Sequence, residues 1–494
     1  MEQQVGVSLE SLVRTLAQSA RVIGPQDKTV TSITVDSREV RPGALFVALR
    51  GEHTDGHRFI GDAVSRGCEA VVMERLEDLR ASASVPAHVT AVIVPDSARA
   101  LSQIADAFYG SPSRSLTIAG ITGTNGKTTT AAMTAAIMNA SGMAAGTIGT
   151  IGAKFGRMEW PLANTTPLAA QLHDLLAQMR ALGANGVAME VSSHALSLQR
   201  VADVRFSAGA LTNVTRDHLD FHKSFDAYAS AKHRLFDMAP RCVFNADDAL
   251  GDRWSRELRS RKPVLTYGID AAADLHPDSI EMRTDGSTFQ LGAQRFEVHL
   301  PGRFNVSNAL CALGIARHLD ISDADSARGL ACLERVPGRM DRVSGGGIDV
   351  IVDYAHTPDA LENLLRTLRE TARGRLLVVF GCGGDRDRGK RPQMGNVAAR
   401  YADLSFVTSD NPRTEEPQAI IDEILPGIGS APHEVCADRR AAIDAAVSIA
   451  RPGDVVAIAG KGHEAYQIIG TQVLPFDDLA VAREVLARRE AASR

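Results

Sequence analysis

The segment Ser115-Leu-Thr-Ile-Ala-Gly-Ile-Thr-Gly-Thr-Asn-Gly-Lys-Thr-Thr129 decides the fold of this chain. Its first six residues have the apolar character of a strand. The helix-forming stretch Thr128–Ala140 follows the glycine loop, and Gly142 is expected to end that helix. The backbone amides of such a loop can surround a phosphate, and the dipole of a helix N-terminus favours anions. The segment therefore predicts a strand, a phosphate-binding loop and a helix within an α/β domain.

Gly126-Lys-Thr128 gives the loop its predicted chemistry. Lys127 would neutralise the outer phosphates of a nucleoside triphosphate, and the Thr128 hydroxyl would bind Mg²⁺. The spacing departs from the strict G-x-x-x-x-G-K-[ST] pattern because Ile121 stands where the first glycine is expected. An ordinary glycine-rich turn is therefore the alternative. The ATP-binding residues predicted in the loop are Gly123, Thr124, Asn125, Gly126, Lys127, Thr128 and Thr129.

Strand and helix patterns alternate on both sides of the loop and predict three α/β domains. A chain of 494 residues is too long for one hydrophobic core. Turn-forming residues at Tyr109–Ser113 and Pro337-Gly338 suggest domains 1–112, 113–337 and 338–494. We expect a small N-terminal α/β domain, a central P-loop domain with a mostly parallel sheet, and a C-terminal Rossmann-like domain.

Strands of the third segment run into loops rich in Gly, Asp, Arg or His. The strands predicted there are Asp349–Val352, Arg375–Phe380, Leu404–Thr408 and Val455–Ala459. In open α/β sheets, ligands bind at the carboxyl ends of the strands. We therefore expect a ligand site on that side of the C-terminal domain.

Composition argues against several other classes of protein. Hydrophobic residues make up 44% and charged residues 23%, and a net charge of −5 predicts no nucleic-acid partner. The six cysteines are scattered singly, which disfavours a disulfide scaffold or a zinc ribbon. The segment Met1–Val13 lacks a signal-peptide pattern, and no run of about 18 apolar residues occurs. We expect a cytoplasmic monomer without membrane contact.

Two segments downstream of the loop carry candidate metal ligands. Glu190 follows the strand-like run Gly186–Met189, and His218 lies in Thr212-Asn-Val-Thr-Arg-Asp-His-Leu-Asp-Phe-His222. A carboxylate together with an imidazole suits Mg²⁺ that is held mainly by ATP. The alternatives are a solvated carboxylate at Glu190 and a zinc pair of His218 and His222, although no H-E-x-x-H pattern supports zinc.

These motifs, taken in order along nearly the whole chain, resemble those of the Mur ligases and the related folylpolyglutamate synthases. The T-G-T-N-G-K-T form of the loop and the segment Ala231-Lys-His-Arg-Leu-Phe236 carry the resemblance. It implies an ATP-dependent, amide-bond-forming ligase in which Lys232 is carbamylated; by itself, Lys232 would be interpreted as a surface lysine. The implied catalytic residues are Lys127, Glu190, His218 and Lys232. The implied Mg²⁺ ligands are Thr128, Glu190, His218 and the carbamate of Lys232.

The first domain and part of the second resemble the segments that hold a UDP-linked precursor in this family. Asp36-Ser-Arg38 and Asp55-Gly-His57 carry the resemblance near the N-terminus, although D-S-R by itself is an ordinary turn. The implied precursor-binding residues are Val35, Ser37, Asn164, Thr165, Thr166, Ser192 and Arg200. The family has a glutamine two residues before the arginine. This chain has Leu198 there, with Gln199 next to it.

Two Pro-Gly-Arg segments resemble those that contact adenine and the ATP phosphates. Pro301–Asn308 contains Asn305, and Pro337–Asp341 contains Arg339. The resemblance implies that both residues bind ATP. Helix caps and linker turns are the alternative interpretation.

Asp410-Asn-Pro-Arg413 discriminates best among acceptors. Pro412 stiffens the turn, and the planar guanidinium of Arg413 can pair with a carboxylate through two hydrogen bonds. Meso-diaminopimelate has a second carboxylate that L-lysine lacks, so lysine would leave a desolvated guanidinium unpaired. The resemblance implies that diaminopimelate is bound by Arg386, Asp410, Asn411, Pro412, Arg413, Gly460 and Glu464. An exposed arginine in an ordinary turn is the alternative.

The resemblance as a whole implies a ligase of cytoplasmic peptidoglycan-precursor synthesis. It would add meso-diaminopimelate to UDP-N-acetylmuramoyl-L-alanyl-D-glutamate through an acyl phosphate, with ATP as co-substrate and Mg²⁺ as cofactor. A lysine-adding Mur ligase and a folylpolyglutamate synthase-type ligase are the nearer alternatives. An ATP-binding regulatory protein without catalysis is the alternative from another class.

Overall fold

The computed structural model describes residues 6–16, 20–51, 54–75, 86–283 and 285–492. The first residues of the N-terminal segment discussed above, 1–5, lie outside these ranges. The strands are β1 Val7–Ser8, β2 Arg21–Ile23, β3 Thr29–Val30, β4 Ser32–Thr34, β5 Ala44–Val47, β6 Ala70–Met73, β7 Thr90–Ile93, β8 Thr117–Thr122, β9 Ala145–Gly149, β10 Gly152–Phe155, β11 Met158–Trp160, β12 Gly186–Glu190, β13 Ala208–Leu211, β14 Cys242–Asn245, β15 Val264–Tyr267, β16 Ser279–Arg283, β17 Gly286–Leu291, β18 Gln294–Val298, β19 Asp341–Gly345, β20 Ile348–Asp353, β21 Leu376–Phe380, β22 Leu404–Val407, β23 His433–Val435, β24 Val455–Ala459, β25 Tyr466–Ile469 and β26 Gln472–Pro475.

The helices alternate with these strands along most of the chain. They are α1 Leu9–Arg14, α2 Ile60–Ser65, α3 Ser97–Phe108, α4 Lys127–Ala140, α5 Ala169–Ala181, α6 Ser193–Ser197, α7 Leu219–His222, α8 Phe225–Met238, α9 Ala249–Leu258, α10 Arg303–His318, α11 Asp323–Ala331, α12 Pro358–Thr371, α13 Lys390–Tyr401, α14 Pro417–Ile428, α15 Arg439–Ile449 and α16 Asp478–Ala492. Among the described residues, no helix is both long and apolar enough to cross a membrane.

The chain forms two compact units. The first contains residues 1–120, 143–207 and 237–239, and the second contains residues 121–142, 208–236 and 240–494. The first unit has a sheet of order β2-β7-β6-β5-β4, in which β2 is antiparallel to β7 and the other pairs are parallel. Helix α3 packs on one face of this sheet and α2 on the other.

The first unit also contains the strands β11-β10-β9-β12 and residues 117–120 of β8, with β9 and β12 parallel. Helix α5 places the side chain of His173 at 0% exposure. Burial lowers the pKa of His173 to about 4, and Asp203 opposes that shift. The Asp106 carboxylate lies 3.5 Å from His173 Nδ1 without hydrogen-bond geometry, so desolvation decides the direction.

The second unit begins with the phosphate-binding loop and ends with a six-stranded sheet. Strands β13, β14 and β15 are parallel, and helices α10 and α11 pack against α4. Strands β16, β17 and β18 form an antiparallel sheet that the sequence patterns did not predict. The sequence signal for it is the two-residue connection Gly292-Ala293, which is typical of a hairpin.

The last sheet has the order β19-β20-β24-β21-β22-β23, and only β19 is antiparallel to its neighbour. Alternate apolar residues of its central strands face α12, α13 and α14 on one side and α15 and α16 on the other. Burial on both faces explains why these strands are continuous apolar runs. The predicted α/β class with mostly parallel sheets is confirmed, and the loops after β21, β22 and β24 lie at the carboxyl edge of this sheet.

Candidate active site

The phosphate-binding loop requires glycine at two positions. Strand β8 ends at Thr122, and Gly123 and Gly126 have φ angles of 152° and 85°. A Cβ at Gly123 would collide with the Thr212 hydroxyl, and a Cβ at Gly126 would collide with the Asn308 side chain. Helix α4 begins directly afterwards, so the loop amides and the helix N-terminus lie together as predicted.

Residues from a neighbouring loop and from α8 fix the shape of the phosphate-binding loop. The Asn213 backbone carbonyl accepts from the Thr124 amide over 2.8 Å, and Asn213 Oδ1 accepts from the Asn125 amide over 2.9 Å. The Thr124 and Tyr228 hydroxyls lie 2.9 Å apart. The side chain of Thr124 is therefore used to hold the loop, and the sequence interpretation had not assigned a role to Asn213 or Tyr228.

Two lysines converge on one carbonyl of the loop. Lys127 Nζ and Lys232 Nζ donate to the Gly123 oxygen over 3.0 and 2.7 Å. Lys232 is 1% exposed, so it is not a surface lysine. Burial and the nearby Lys127 lower the pKa of Lys232 well below its usual value, while Asp217 opposes the shift. A lowered pKa increases the fraction of the neutral amine, which is the nucleophilic form of lysine.

Asp217 is a buried carboxylate surrounded by cationic groups. It accepts a hydrogen bond of 2.9 Å from the His218 amide, and its Oδ2 lies 3.4 Å from His218 Nε2. Burial acts to raise the pKa of Asp217, but His218, Lys390 and His356 together lower it below its ordinary value. The structure thus places the predicted His218 beside a carboxylate that the sequence interpretation had overlooked.

Contacts join the phosphate-binding loop to residues beyond 337 in the same unit. Arg339 Nη2 donates to the Thr128 hydroxyl over 2.9 Å, and Asn125 Nδ2 donates to Asp359 over 2.8 Å. The Arg339 guanidinium also lies 4.8 Å from the Tyr354 ring centroid. Two of the predicted ATP-binding residues, Thr128 and Arg339, are therefore in direct contact.

Asn305 lies at the start of α10 with both polar atoms engaged. Its Nδ2 donates to the Pro301 carbonyl over 2.8 Å, and its Oδ1 accepts from Asn308 Nδ2 over 3.1 Å. These bonds fit the alternative of a structural helix start. The predicted contact of Asn305 with ATP stays a prediction.

In the first unit, Glu190 ends strand β12 as a buried carboxylate. Its two oxygens accept from the Thr150 amide, at 2.7 Å, and the Thr150 hydroxyl, at 3.0 Å. A Cβ at Gly149 would collide with this carboxylate, so glycine is needed beside it. Glu190 is 1% exposed, which excludes the solvated carboxylate.

The predicted precursor-binding residues of the first unit form two groups. Thr166 donates to the Glu190 carbonyl over 2.8 Å, and Arg200 donates to the Thr166 carbonyl over 2.9 Å. Ser192 N donates to the Thr166 hydroxyl over 3.1 Å, and Thr165 lies near Thr150, whereas Asn164 is exposed. Burial lowers the pKa of Arg200. Gln199, which follows the unexpected Leu198, has a left-handed φ of 58°.

The second group lies in the turn after β4. Asp36 accepts from the Arg38 amide over 2.9 Å, and the Arg38 side chain lowers the pKa of Asp36 to about 2. Ser37 is buried, and Val35 is half-buried next to it. The structure therefore shows a well-defined turn, and the binding roles of Val35 and Ser37 stay predictions.

The turn Asp410–Arg413, called the acceptor turn after its predicted role, lies at the carboxyl edge of the last sheet. Asp410 follows β22 and Gly460 follows β24, where φ is 117°. A Cβ at Gly460 would lie 2.5 Å from Asp410 Oδ2. Asp410 is 8% exposed, and Oδ2 has no hydrogen-bond partner among the residues that the structure describes. A buried carboxylate oxygen without a donor is suited to an amino group of a ligand.

Two arginines lie beside this turn. Arg413 has a left-handed φ of 53°, and its Nη1 donates to the Gly384 carbonyl over 2.8 Å. Burial and the proximity of Arg386 lower the pKa of Arg413. Arg386 is exposed, and Gly383 separates the two side chains. Two neighbouring guanidinium groups, one exposed and one partly buried, favour a carboxylate ligand.

Glu464 faces the turn from the loop after β24. Its Oε2 accepts from Asn411 Nδ2 over 2.9 Å, and its Oε1 lies 3.4 Å from the Tyr354 hydroxyl. All seven predicted acceptor-binding residues therefore lie in the loops after β21, β22 and β24. Tyr354 connects this group to Arg339 and the phosphate-binding loop.

Three family models match the chain. The Mur ligase family catalytic domain matches residues 29–109, the Mur ligase middle domain matches 121–316, and the Mur ligase glutamate ligase domain matches 338–462. The chain belongs to the Mur ligase family.

Curated relatives agree with this assignment over almost the whole length. A UDP-N-acetylmuramoyl-L-alanyl-D-glutamate–2,6-diaminopimelate ligase from Syntrophomonas wolfei is 43% identical over 94% of this chain and 96% of its own. A protein of the same name from Gloeobacter violaceus is 45% identical over 94% of this chain and 95% of its own. A solved structure of a ligase with that name has a TM-score of 0.67 and 31% identity, covering 98% of this chain and 99% of its own.

In this Mur ligase, a buried ion pair makes hydrogen bonds to the backbone beside the acceptor turn. Arg439 and Asp478, both fully buried, are joined through two hydrogen bonds of 2.8 and 2.7 Å. The same guanidinium donates to the carbonyls of Ser409 and Ala459, which precede Asp410 and Gly460. Sequence inspection had not singled out this pair because its members are 39 residues apart and outside the motifs.

The donor groups of the second unit fit Mg²⁺. Among the described residues, no three His, Cys, Asp or Glu side chains cluster as metal ligands. The Thr128 hydroxyl is one oxygen donor beside the loop, and the predicted carbamate of Lys232 would be another. Both are hard oxygen ligands of the kind that Mg²⁺ prefers alongside phosphates.

Proposed function

We propose that this Mur ligase adds meso-diaminopimelate to UDP-N-acetylmuramoyl-L-alanyl-D-glutamate with consumption of ATP. The observation that carries the proposal is the acceptor turn. It combines Asp410 Oδ2, which has no hydrogen-bond partner within the described part of the chain, with the half-buried Arg413 guanidinium, in the same compact unit as the phosphate-binding loop. The names of relatives that are 43 to 45% identical support the same substrates.

The reaction proceeds in two steps. The γ-carboxylate of the D-glutamate residue attacks the γ-phosphorus of ATP, which forms an acyl phosphate and releases ADP. The acceptor amine then attacks the acyl carbon, and the tetrahedral intermediate collapses with loss of phosphate and a proton. The protein contributes by positioning and charge neutralisation. Lys127 and the N-terminus of α4 stabilise the negative charge on the phosphates.

Mg²⁺ would be held in the second unit by Thr128, His218 and the carbamate of Lys232. Bound there, the ion would supply positive charge to the phosphate oxygens. The neutral Lys232 amine attacks the carbon of CO₂, forms an N–C bond and loses a proton, which leaves a carbamate anion. The predicted role of Glu190 as a metal ligand is retained in the proposal, and its burial supports a fixed carboxylate.

Acceptor selectivity is assigned to charge complementarity. Asp410 and Glu464 accept hydrogen bonds from the amino group of the acceptor, while Arg413 and Arg386 bind a carboxylate. L-lysine would leave the partly buried Arg413 without its anion, which costs more than the loss of one exposed hydrogen bond. The lysine-adding Mur ligase is therefore the less favoured candidate.

The proposal includes the domain boundaries 112 and 337, a cytoplasmic location and a monomeric state. The family matches end at residues 109 and 316 and resume at 121 and 338, which supports boundaries close to the predicted ones. ATP as co-substrate supports a compartment that contains ATP.

Phosphate release tests the proposal directly. Purified protein is incubated with ATP, Mg²⁺ and UDP-N-acetylmuramoyl-L-alanyl-D-glutamate, and meso-diaminopimelate is compared with L-lysine. We expect release with diaminopimelate and little with lysine. Equal release with both would remove the selectivity assigned to Arg413, and release with neither acceptor would contradict the proposed reaction.

A further inference from the structure

Lys461 is a fully buried lysine inside the acceptor site. It follows Gly460 in the loop after β24, and its side chain is 0% exposed. Its ammonium group also lies 5.4 Å from the centroid of the Tyr466 ring. A buried ammonium is costly unless anions and hydrogen-bond acceptors surround it, so the position of this one calls for a physical reason.

The Lys461 ammonium connects two of the predicted acceptor-binding side chains. Nζ donates to Asn411 Oδ1 and to Glu464 Oε2, both over 3.1 Å. Asn411 Nδ2 donates to the same Glu464 oxygen over 2.9 Å, and the Ile468 amide donates to Asn411 Oδ1 over 3.0 Å. These bonds fix the orientation of the amide and of the carboxylate.

The bonding leaves one side of Glu464 for a ligand. Oε2 accepts two hydrogen bonds, from Lys461 and Asn411, whereas Oε1 is approached by the Tyr354 hydroxyl at 3.4 Å. That distance is at the long limit of a hydrogen bond. Lys461 therefore orients Glu464 so that Oε2 is bonded within the protein, whereas Oε1 can accept a hydrogen bond from a ligand.

Lys461 also balances the charge of the site. The carboxylates of Asp410 and Glu464 face the guanidinium of Arg413 and the ammonium of Lys461. The deeper Arg439 is already paired with Asp478 over 2.7 Å, so it supplies no net charge. The exposed Arg386 and Asp385 also act on Arg413 and add one charge of each sign. Three anions and three cations remain, so the site is electrically neutral only while Lys461 is present.

We propose that Lys461 is a specificity-determining positioning residue, which orients Asn411 and Glu464 and keeps the acceptor site neutral. The inference rests on the proposed function. Meso-diaminopimelate carries two carboxylates and two ammonium groups and is neutral overall, whereas L-lysine carries one net positive charge. A neutral site gives a cationic acceptor no electrostatic advantage. Without Lys461 the site has one excess negative charge, which attracts lysine.

Substitution of Lys461 by methionine and by glutamine tests this role. Methionine removes the charge and the donor, whereas glutamine removes the charge and keeps a donor for Glu464. We expect both K461M and K461Q to raise the ratio of kcat/KM for lysine to kcat/KM for diaminopimelate by about tenfold or more, with KM for ATP unchanged. In the double variant Lys461→Met/Glu464→Gln, which is neutral again, we expect the ratio to return towards the wild-type value.

A lysine outside the site provides the matched control. Lys28 is paired with Glu69 over 2.9 Å and is 11% exposed, so K28M removes a comparable ion pair from the first unit. We expect K28M to leave the acceptor ratio unchanged. If K461M lacks a cooperative thermal transition, K461Q carries the test.

The outcomes separate this inference from the proposed function. An unchanged acceptor ratio in K461M and K461Q, in protein whose wild type uses diaminopimelate, would overturn the role of Lys461. A ratio that stays high in the double variant would overturn the charge argument. Wild-type protein that releases no phosphate with diaminopimelate would contradict the proposed function itself.

Discussion

Substitution of Gly460 by alanine tests the geometry of the acceptor site. Gly460 has a φ of 117°, and an added Cβ would lie 2.5 Å from Asp410 Oδ2. Because ordinary contacts begin near 3.4 Å, the carboxylate must move by about 1 Å. A displacement of that size costs on the order of 10²-fold in rate when the group positions a substrate. The unfavourable backbone conformation should lower the free energy of unfolding by about 1–3 kcal/mol.

Gly429→Ala separates the two effects. Gly429 has a φ of 60° and a ψ of −127° at the end of α14, and no described atom lies within 4 Å of its added Cβ. We expect both variants to unfold at a lower temperature, by thermal melting, while only G460A loses about 10²-fold in kcat/KM for diaminopimelate. A wild-type kcat/KM in G460A would refute the assignment of Asp410 and Gly460 to the acceptor site.

Three further predictions concern single side chains. The pKa of His173 is lowered by burial to about 4, below about 6.5 in the unfolded chain, so protonation favours unfolding. The free energy of unfolding should be highest above pH 6.5 and should fall by up to about 3 kcal/mol as the pH is lowered towards 4. Urea unfolding at several pH values measures this dependence. In H173L the free energy of unfolding should depend less on pH over the same range. Arg413→Lys should raise KM for diaminopimelate about tenfold or more and leave KM for ATP unchanged in steady-state assays, because a point charge cannot replace the planar fork. Lys232→Met should abolish phosphate release, and native mass spectrometry in bicarbonate should detect one added CO₂ in the wild type but not in this variant. A K232M enzyme with wild-type turnover would exclude a catalytic carbamate.

Local sequence signals predicted the elements of the parallel sheets well. The run Val455–Ala459 is a strand with the predicted bounds, the strand Leu404–Val407 ends one residue before its predicted end, and Lys127–Ala140 begins one residue before the predicted helix. These segments are long, apolar and bounded by glycine or polar turns, so local chemistry decides them. The sheet β16–β18 was missed because its strands carry exposed polar residues on one face.

Candidate site residues could be predicted from the sequence where one short segment forms both a turn between secondary-structure elements and a recognisable set of polar side chains. The loop 123–129 and the turn 410–413 were found in this way. Asp217, Asn213, Lys461 and Arg439 were not, because their roles come from contacts with residues far along the chain. A lysine in a sequence gives no sign of whether its side chain is buried in the fold, as those of Lys232 and Lys461 are.

The ion pair of Arg439 and Asp478 affects the order in which parts of the protein can fold during synthesis. Asp410, Arg439 and Gly460 leave the ribosome before Asp478, which begins helix α16. Until that helix emerges, the Arg439 guanidinium lacks its counter-ion, and burying it alone is unfavourable. The carbonyls of Ser409 and Ala459 therefore gain a charge-balanced donor only after Asp478 has emerged, which is later than the residues of the loop 123–129 and of the turn 410–413.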